Sequence, residues 1–291
     1  MRIVFHLGAH CTDEERLVRC LYANHVRLLA QGISVPDPAR YRKLLRDTAA
    51  QLRGSEASAE TQALVLSSIL DAGETPDRLI LSWDNFLSFP QWALRGTIYA
   101  FAGERIRAYS NVFPGEEAEF HLAIRNPATF LPALFEKQKI KTYAEFVDGT
   151  DPMSLRWSDV IAQIRSQNPS SPLTVWCDED TPLIWPEVLQ AVSGHAPGTK
   201  LDGADELLSM IMAPEGLQRM QGYLSSHPPE TVAQRRRIVT AFLDKFARAD
   251  RVEMEVDLPG WTEDSVAAMS TTYRDDIARI AAMPGVTMLS A

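Results

Sequence analysis

Side chains that can do chemistry follow four apolar runs of the sequence, each at the point where the run ends. They are His10, Cys11 and Thr12 after the first run, Asp84 and Asn85 after the second, Arg125 and Asn126 after the third, and Cys177, Asp178, Glu179 and Asp180 after the fourth. An apolar run that enters polar or turn-forming residues is typical of a buried parallel strand. The carboxyl ends of parallel strands meet at one edge of the sheet, where ligands bind in open α/β folds. We therefore expect these four groups to gather at a single site.

The candidate catalytic residues in this set are His10, Cys11 and Asp84. Cys11 would be a nucleophile with His10 as its base, and a helix N-terminus after the loop would lower the pKa of the thiol. A plain loop thiol is the alternative that we favour, because adjacent residues seldom orient onto one another and the acids that follow Cys11 oppose a thiolate. His10, Cys11 and the acids of 178–180 lack the spacing of a metal-binding motif, so no metal is expected.

The segment 6–15, HLGAHCTDEE, has the frame of a phosphate-binding turn with its charges inverted. In such a turn a lysine and a hydroxyl residue follow the first glycine by about five to seven positions, and this chain has Asp13, Glu14 and Glu15 there. The backbone amides of 8–12 remain candidates for holding an anion at the helix start. The structural alternative is a capping box of Thr12 and Glu15, with Asp13 and Glu14 complementing the helix dipole, and such a cap is worth about 1 kcal/mol. We favour this structural role for the acids.

Composition narrows the class of protein. With 291 residues and 45% hydrophobic content, the chain can bury a substantial core. Its net charge of −9, from 29 basic and 38 acidic residues, disfavours binding to nucleic acid or to anionic membranes. Cys11, Cys20 and Cys177 are an odd number without C-x-x-C spacing, which indicates a reducing compartment without disulfides. No run approaches the roughly 20 apolar residues of a membrane span, and the N-terminus lacks a signal-peptide layout, so a cytoplasmic protein is expected.

Alternating strand and helix patterns predict a mainly parallel sheet covered on both faces, a three-layer α/β sandwich. Strands are predicted near residues 2–7, 79–83, 119–124 and 173–177. Helices are predicted near residues 12–31, 40–53, 58–71, 154–167, 205–225, 230–249 and 263–283, before a short GVTML tail. In the first of these helices, Leu17, Cys20, Leu21 and Leu28 should share one buried face. We expect 1–200 to form the α/β core and 201–291 a helical region packed on it, in one domain.

These residues together resemble the PAPS-dependent sulfotransferase family, a variant of the P-loop kinase fold. Members begin with a strand and a turn of the type H-x-G-x-H-K-T-G-T-T, and HLGAHCTDEE follows that frame. They also carry a strand that ends in an arginine, in a pattern like LRNP, and HLAIRNPATF places Arg125 there. LSWDNF and LTVWCDEDTPLIWPEVL are similar to an intervening strand and a later strand of the family. The similarity covers roughly residues 1–192.

The resemblance implies a P-loop-like fold and a site for PAPS or its product 3′,5′-ADP. The loop residues that would hold the 5′-phosphosulfate are Gly8, Ala9, His10, Cys11 and Thr12. Arg125 would bind the 3′-phosphate. The acceptor of the sulfuryl group would be a small molecule or a carbohydrate.

The sequence departs from the family pattern where the family does its chemistry, so the 5′-phosphosulfate loop is degenerate. The family's loop lysine is replaced by Cys11, its glycine and two hydroxyl residues by the acids of 13–15, and the serine expected eight residues after Arg125 by Ala133. Sulfuryl transfer needs cations that absorb charge in the transition state. Two functions remain open: a diverged sulfotransferase, or a non-catalytic binding or interaction module of the same fold. The cation count at the turn favours the second.

Arg125 has two alternative roles that follow from its place at a strand exit. It would bind an anionic ligand, or it would be held by carboxylates of Asp13, Glu14 or Asp84. Neighbouring strands lie only about 5 Å apart, so one or two of these acids are within reach. We favour the ion pair, because a buried guanidinium without a partner costs several kcal/mol.

Overall fold

The computed structural model describes residues 1–138, 142–252 and 258–291, and within them the chain folds around one six-stranded parallel sheet. The strands are β1 Arg2–His6, β2 Ile33–Ser34, β3 Arg78–Ser82, β4 Glu117–Ile124, β5 Leu173–Cys177 and β6 Val286–Leu289. Their order across the sheet is β2-β3-β1-β4-β5-β6. β1 is central and pairs in register with β3 (Ile3 with Leu79) and with β4 (His6 with His121). The predicted α/β class and parallel sheet are therefore confirmed.

Helices cover both faces of this sheet. They are α1 Arg16–Ala23, α2 His25–Leu29, α3 Pro38–Leu52, α4 Ala59–Ile69, α5 Ala102–Ser110, α6 Pro127–Glu136, α7 Tyr143–Val147, α8 Trp157–Gln167, α9 Thr181–Ser193, α10 Glu206–Ile211, α11 Pro214–Ser226, α12 Val232–Phe246, α13 Ala249–Val252 and α14 Glu263–Ala281. Short 3-10 turns lie at Pro90–Trp92, Pro152–Ser154 and Asp178–Asp180. None of the described helices is both long and apolar enough to cross a bilayer.

Side chains alternate between two hydrophobic layers along each strand, as the period of a pleated strand requires. Ile3 and Phe5 of β1 face the larger layer, which α3, α5, α6, α8 and α14 complete. Val4 faces the smaller layer, formed with α1, α2 and α9. A third cluster, around Met220 and Val239, joins α10, α11 and α12 to one another. The three layers of the predicted sandwich are thus present, and the C-terminal helices add a satellite core.

The strand order places the natural ligand crevice between β1 and β4. This strand order is neither the dinucleotide-binding order 3-2-1-4-5-6 nor the flavodoxin-like order 2-1-3-4-5. β1 and β4 are neighbours, yet the chain leaves β1 toward β2 at one side of the sheet and leaves β4 toward β5 at the other. A topological switch point of this kind opens a crevice outside the carboxyl ends of the two strands.

The first predicted helix is the element that differs most from expectation. It begins at Arg16, not near residue 12, and breaks at Asn24 into α1 and α2. The predicted capping box is wrong, because the Thr12 hydroxyl donates to the Ala9 carbonyl oxygen (2.6 Å). The residue before α1 is Glu15, which makes no side-chain cap, and the Leu17 amide of the first turn donates instead to Asp13 Oδ2 at 3.0 Å. The predicted buried face is correct, since Leu17, Cys20, Leu21 and Leu28 are all buried.

Two strands and a second helix break, besides the one at Asn24, were also missed. The GVTML tail forms β6 beside β5, and a two-residue β2 follows Gly32, whose φ is 75°. Both strands are too short to show a period of their own, so pairing with a neighbour decides them. The helix predicted over 205–225 is two helices, α10 and α11, and Pro214 lies at the start of the second. Proline at that position ends the preceding helix and is tolerated in the next one.

Candidate functional site

The loop after β1 begins with a glycine that lets two strand exits touch. Gly8 has φ +50°, and a Cβ built on it would lie 3.2 Å from the Asp84 Cα. Any larger residue would meet this backbone and adopt a left-handed conformation, so Gly8 is required on both counts. The exits of β1 and β3 therefore lie against each other, and Asp84 sits beside the loop as predicted.

Strained backbone concentrates around this loop. Positive φ occurs at Cys11 (62°), Glu14 (49°) and Glu15 (67°), and at Tyr99 (46°), which contacts the loop. A residue held in this conformation costs on the order of 1–3 kcal/mol, and such residues cluster at functional sites. Four strained residues in one place favour the loop as the site over any other part of the described chain.

His10 is locked by the Tyr99 hydroxyl. That oxygen accepts from the His10 amide at 3.0 Å and lies 2.7 Å from His10 Nδ1. Because Asn85 Oδ1 can only accept, Nε2–H donates to it at 3.3 Å, and Nδ1 of the neutral ring then accepts from the Tyr99 hydroxyl. Burial lowers the pKa of His10. The imidazole is neutral with both nitrogens engaged, so it fixes the shape of the loop, and its role as a general base stays a prediction.

Cys11 does not have the environment of a reactive thiol. It is buried and lies five positions before the first residue of α1, so the helix dipole does not stabilise a thiolate there. Burial raises the pKa of the Cys11 thiol to about 11, against the pull of Lys137 and Arg125. Cys11 is therefore a protonated thiol at neutral pH, which favours the loop-thiol alternative.

Arg125 joins the exits of β4 and β1. Its guanidinium donates to the Cys11 carbonyl oxygen and, through Nε, to Thr129 Oγ1 at 3.1 Å. The Arg125 carbonyl oxygen accepts from Trp157 Nε1 at 2.7 Å, which anchors the strand end from α8. Cys11 and Arg125 were both predicted at this site from sequence, and the structure brings them into direct contact at the switch point.

The carboxylates of the turn, which were among those expected to hold Arg125, contact other groups as well. Glu14 lies 3.0 Å from Lys137 Nζ and 3.6 Å from Arg16, and Glu15 lies 2.6 Å from Arg42. Asp13 accepts from the α1 amide described above. The three acids of the turn are therefore each engaged with a cation or an amide within the described chain.

Lys137 is the residue that sequence reasoning missed. It follows the last residue of α6, and its ammonium pairs with Glu14 at the loop. Partial burial would lower the pKa of Lys137, but Cys11, Glu14 and Asp84 around it raise the pKa above the ordinary value. The lysine is thus a full cation at neutral pH, beside the loop that carries Cys11 and Glu14.

Asp178 is the titratable group best suited to proton transfer. It is half-buried at the exit of β5. Burial raises its pKa to about 7, with Arg125 opposing the rise and Glu179 and Asp13 adding to it. A carboxyl with a pKa near the working pH and a specific charge partner is a candidate for a general base. The sequence placed Asp178 in the acidic exit of β5 without distinguishing it from Glu179 and Asp180.

The loop backbone is suited to an anionic group. Within the described residues, the buried amides of Ala9, Cys11, Thr12 and Asp13 donate to no protein acceptor. Buried amides without partners are rare in folded proteins, and they are satisfied by water or by a ligand. The reversal of φ at Cys11 is the backbone pattern that turns successive N–H groups toward a bound anion. The residues present therefore fit a phosphate or sulfate group.

The structure thus gathers Gly8, His10, Cys11, Thr12, Asp84 and Arg125 at one edge of the sheet. Asp178, from the predicted acidic exit of β5, lies near them, and the structure adds Tyr99 and Lys137. Among the described residues no cluster of three or more His, Cys, Asp or Glu side chains is arranged to hold a metal ion. Comparison with protein-family models, with curated proteins and with solved structures finds no match to this chain.

Proposed function

We propose that the chain is a sulfotransferase-like protein that binds 3′,5′-ADP or PAPS between the exits of β1 and β4. The observation that carries the proposal is the convergence of two cations on one loop. Arg125 lies just before α6 and Lys137 just after it, and both reach the segment Cys11–Glu14. The buried amides of the same loop supply neutral donors. Together they offer the donors that two phosphate groups need.

Sulfuryl transfer would require residues of this chain to bind the donor, to neutralise the charge of its leaving group and to take up the proton of the acceptor. Arg125 and the loop amides would hold the donor's anionic groups in place, and Lys137 would neutralise charge at the position of the missing loop lysine. PAPS supplies the sulfuryl group when bound. Asp178 would take the proton of the acceptor hydroxyl, because its raised pKa matches neutral pH. The buried, neutral His10 keeps the loop in shape through Tyr99.

A binding module without transfer is the second candidate, and the Glu14–Lys137 pair favours it. Glu14 already neutralises the cation that the leaving group would need. A ligand can bind without reacting, whereas transfer requires the ammonium to face the leaving group of the donor.

Calorimetric titration with 3′,5′-ADP tests the binding step. We expect Lys137→Ala to weaken binding by roughly ten- to a hundredfold, since a charge-assisted hydrogen bond is worth about 1.5–3 kcal/mol. Glu14→Gln should strengthen binding, by up to about fivefold, because it releases Lys137 from an exposed pair worth at most about 1 kcal/mol. Glu15→Gln is the matched control, since Glu15 pairs with Arg42 and not with Lys137. No heat from the wild-type protein at millimolar nucleotide would reject the proposal.

The transfer step needs a separate measurement. Radiolabelled PAPS is incubated with the protein and a mixture of hydroxyl acceptors, and 3′,5′-ADP release is followed alongside. Release that is lost in Asp178→Asn while nucleotide binding persists would support the transferase. Binding without release from either protein would assign the non-catalytic function.

A further inference from the structure

A cleft of about 600 Å³ opens at the amino-terminal edge of the sheet, where β4 and β5 begin. This edge lies opposite the candidate site, which is at the carboxyl ends of the strands. The lining of the cleft includes Asn111, Pro114, Glu117, Asn168 and Pro172. Its volume lies within the range of about 300–1,000 Å³ that is usual for small-molecule sites. The cleft is therefore large enough to hold a ligand of its own, apart from the proposed nucleotide.

Two helices end at this cleft. α5 ends at Ser110 and is followed by its cap Asn111, and α8 ends at Gln167 and is followed by its cap Asn168. Both caps line the cleft. The carboxyl end of a helix carries about half a negative charge, which stabilises a cation beside it. Two such ends at one cleft favour a positively charged ligand.

The side-chain oxygens of the two caps are available as acceptors. Asn111 and Asn168 are only 6% and 3% exposed. Asn111 Nδ2 donates to the Gly54 carbonyl oxygen at 2.8 Å, and Asn168 Nδ2 donates to the Ile164 carbonyl oxygen at 3.1 Å. Within the described chain neither Oδ1 accepts a hydrogen bond, and neither is fully enclosed. Buried amide oxygens without a donor are rare, so two of them at one cleft indicate a ligand that brings N–H donors.

The charges around the cleft also favour a cation. The lining holds three carboxylates and two guanidiniums, those of Glu56, Glu116, Glu117, Arg2 and Arg107. Arg2 pairs with Glu117 at 2.8 Å, and Arg107 donates to the last carbonyl oxygen of α8 at 3.3 Å. Both guanidiniums are thus engaged, while the carboxylates outnumber them. The cleft therefore discriminates against anionic ligands.

We propose that this cleft binds a small free guanidinium compound, independently of the function proposed above. A guanidinium is planar and carries five N–H donors and no acceptor, which matches a cleft that offers acceptors. Its donors bond to Asn111 Oδ1 and Asn168 Oδ1, and the two helix ends stabilise its charge. A short aliphatic stem lies against Pro114 and Pro172.

Butylguanidine and N-butylurea test the preference, because the two molecules share one shape and differ in the cationic group. Their affinities for the full chain are measured by calorimetry and ligand-observed NMR. We expect butylguanidine to bind about tenfold or more tightly than N-butylurea, since charge-assisted hydrogen bonds are the stronger ones. Ser170→Lys, at an exposed residue of the lining, places a tethered ammonium in the cleft and should weaken butylguanidine binding about tenfold or more. Ser225→Lys, at an exposed residue of α11 outside the lining, adds the same charge and should leave the affinity unchanged.

Asn168→Leu removes one of the two acceptor oxygens and should weaken butylguanidine binding by about tenfold. The same substitution removes the bond to the Ile164 carbonyl oxygen, so urea unfolding first establishes that the variant is folded. Equal affinities for the two compounds, no binding at millimolar butylguanidine, or an affinity that survives Ser170→Lys or a folded Asn168→Leu would each overturn the proposal. A blocked Gly-Arg-Gly peptide that binds more tightly than butylguanidine would overturn the assignment to a free small molecule.

Discussion

Two buried histidines at the centre of the sheet should make the fold sensitive to mild acid. His6 of β1 and His121 of β4 are register partners, and each is about 1% exposed. His6 Nδ1 lies 2.8 Å from Ser82 Oγ, and His121 Nε2 lies 2.7 Å from Glu119 Oε1. Burial lowers the pKa of both imidazoles. The folded protein thus holds both rings neutral at a pH at which an unfolded chain would protonate them.

The size of the effect follows from proton linkage. An unfolded histidine titrates near pH 6.5, so below that value the unfolded chain binds more protons and the folded state loses stability as the pH falls. In the limit in which the folded state takes up no proton, each ring lowers the unfolding free energy by about 1.4 kcal/mol between pH 7.5 and 5.5. The two rings together lower it by about 2.7 kcal/mol. Glu119 does not add to this loss, because its pKa is lowered to about 2 and its contribution disappears only below its unfolded value near 4.5.

Urea unfolding at pH 7.5, 6.5 and 5.5 measures the loss. His6→Phe keeps an aromatic ring beside Trp176, whose centroid lies 6.0 Å from that of the His6 ring, but phenylalanine cannot take up a proton. The unfolding free energy of this variant should therefore fall by about 1.4 kcal/mol less than that of wild type between pH 7.5 and 5.5. His25→Asn, at an exposed histidine, is the control and should behave as wild type. If wild type and His6→Phe lose the same free energy between pH 7.5 and 5.5, the reasoning on His6 is refuted.

Three further predictions test other buried contacts. Glu119→Ala should lower the unfolding free energy by about 3–5 kcal/mol. Arg78 donates to both Glu119 oxygens, at 2.6 and 3.0 Å, and the substitution leaves its guanidinium in the interior without that carboxylate. Arg78→Met combined with Glu119→Leu should recover most of the loss in the same urea titration. Gly8→Ala should lower stability by on the order of 1–3 kcal/mol, and by more than Gly96→Ala, since both glycines have positive φ but only Gly8 faces backbone atoms. Burial raises the pKa of the Cys11 thiol to about 11, so the thiol should resist iodoacetamide at pH 8 in the folded protein and react once the chain is unfolded. Mass spectrometry follows the labelling, and fast labelling of the native thiol would contradict its burial.

The coarse fold was predictable because its signals are local. Each long strand is an apolar run that enters polar residues, and four such runs were found within about two residues of their true bounds. β2 and β6 were not predictable, since runs of two and four residues gain their conformation from pairing with β3 and β5. The start of α1 was misplaced for a related reason. Thr12 and Glu15 satisfy the spacing of a capping box, but the loop backbone is bent at Cys11, Glu14 and Glu15 to meet the exits of β3 and β4.

The sequence predicted the site residues that lie at strand exits but not those that reach the site from elsewhere. Strand exits converge in any parallel sheet, so Gly8, Asp84 and Arg125 could be placed together from the order of elements alone. Tyr99 and Lys137 could not, because each lies outside a strand exit and reaches the loop only through the packing of the larger hydrophobic layer. The signal that would have favoured Lys137 is its position at the end of the helix that follows Arg125.

The packing also changes how strongly the three acids of the turn would oppose a bound anion. Counted along the sequence, three carboxylates replace the glycine and hydroxyl residues of a phosphate-binding turn and repel an anion. In the structure Asp13 accepts from the Leu17 amide and Glu15 pairs with Arg42, so each of these two acids already has a partner. Glu14 alone faces Lys137, and both side chains are more than a third exposed. An exposed pair of this kind is worth about 0.2–1 kcal/mol, so an anion that displaces Glu14 loses at most about fivefold in affinity. That cost is smaller than the contribution of one charge-assisted hydrogen bond from Lys137, about 1.5–3 kcal/mol, so the Glu14–Lys137 pair alone does not prevent the proposed anion binding.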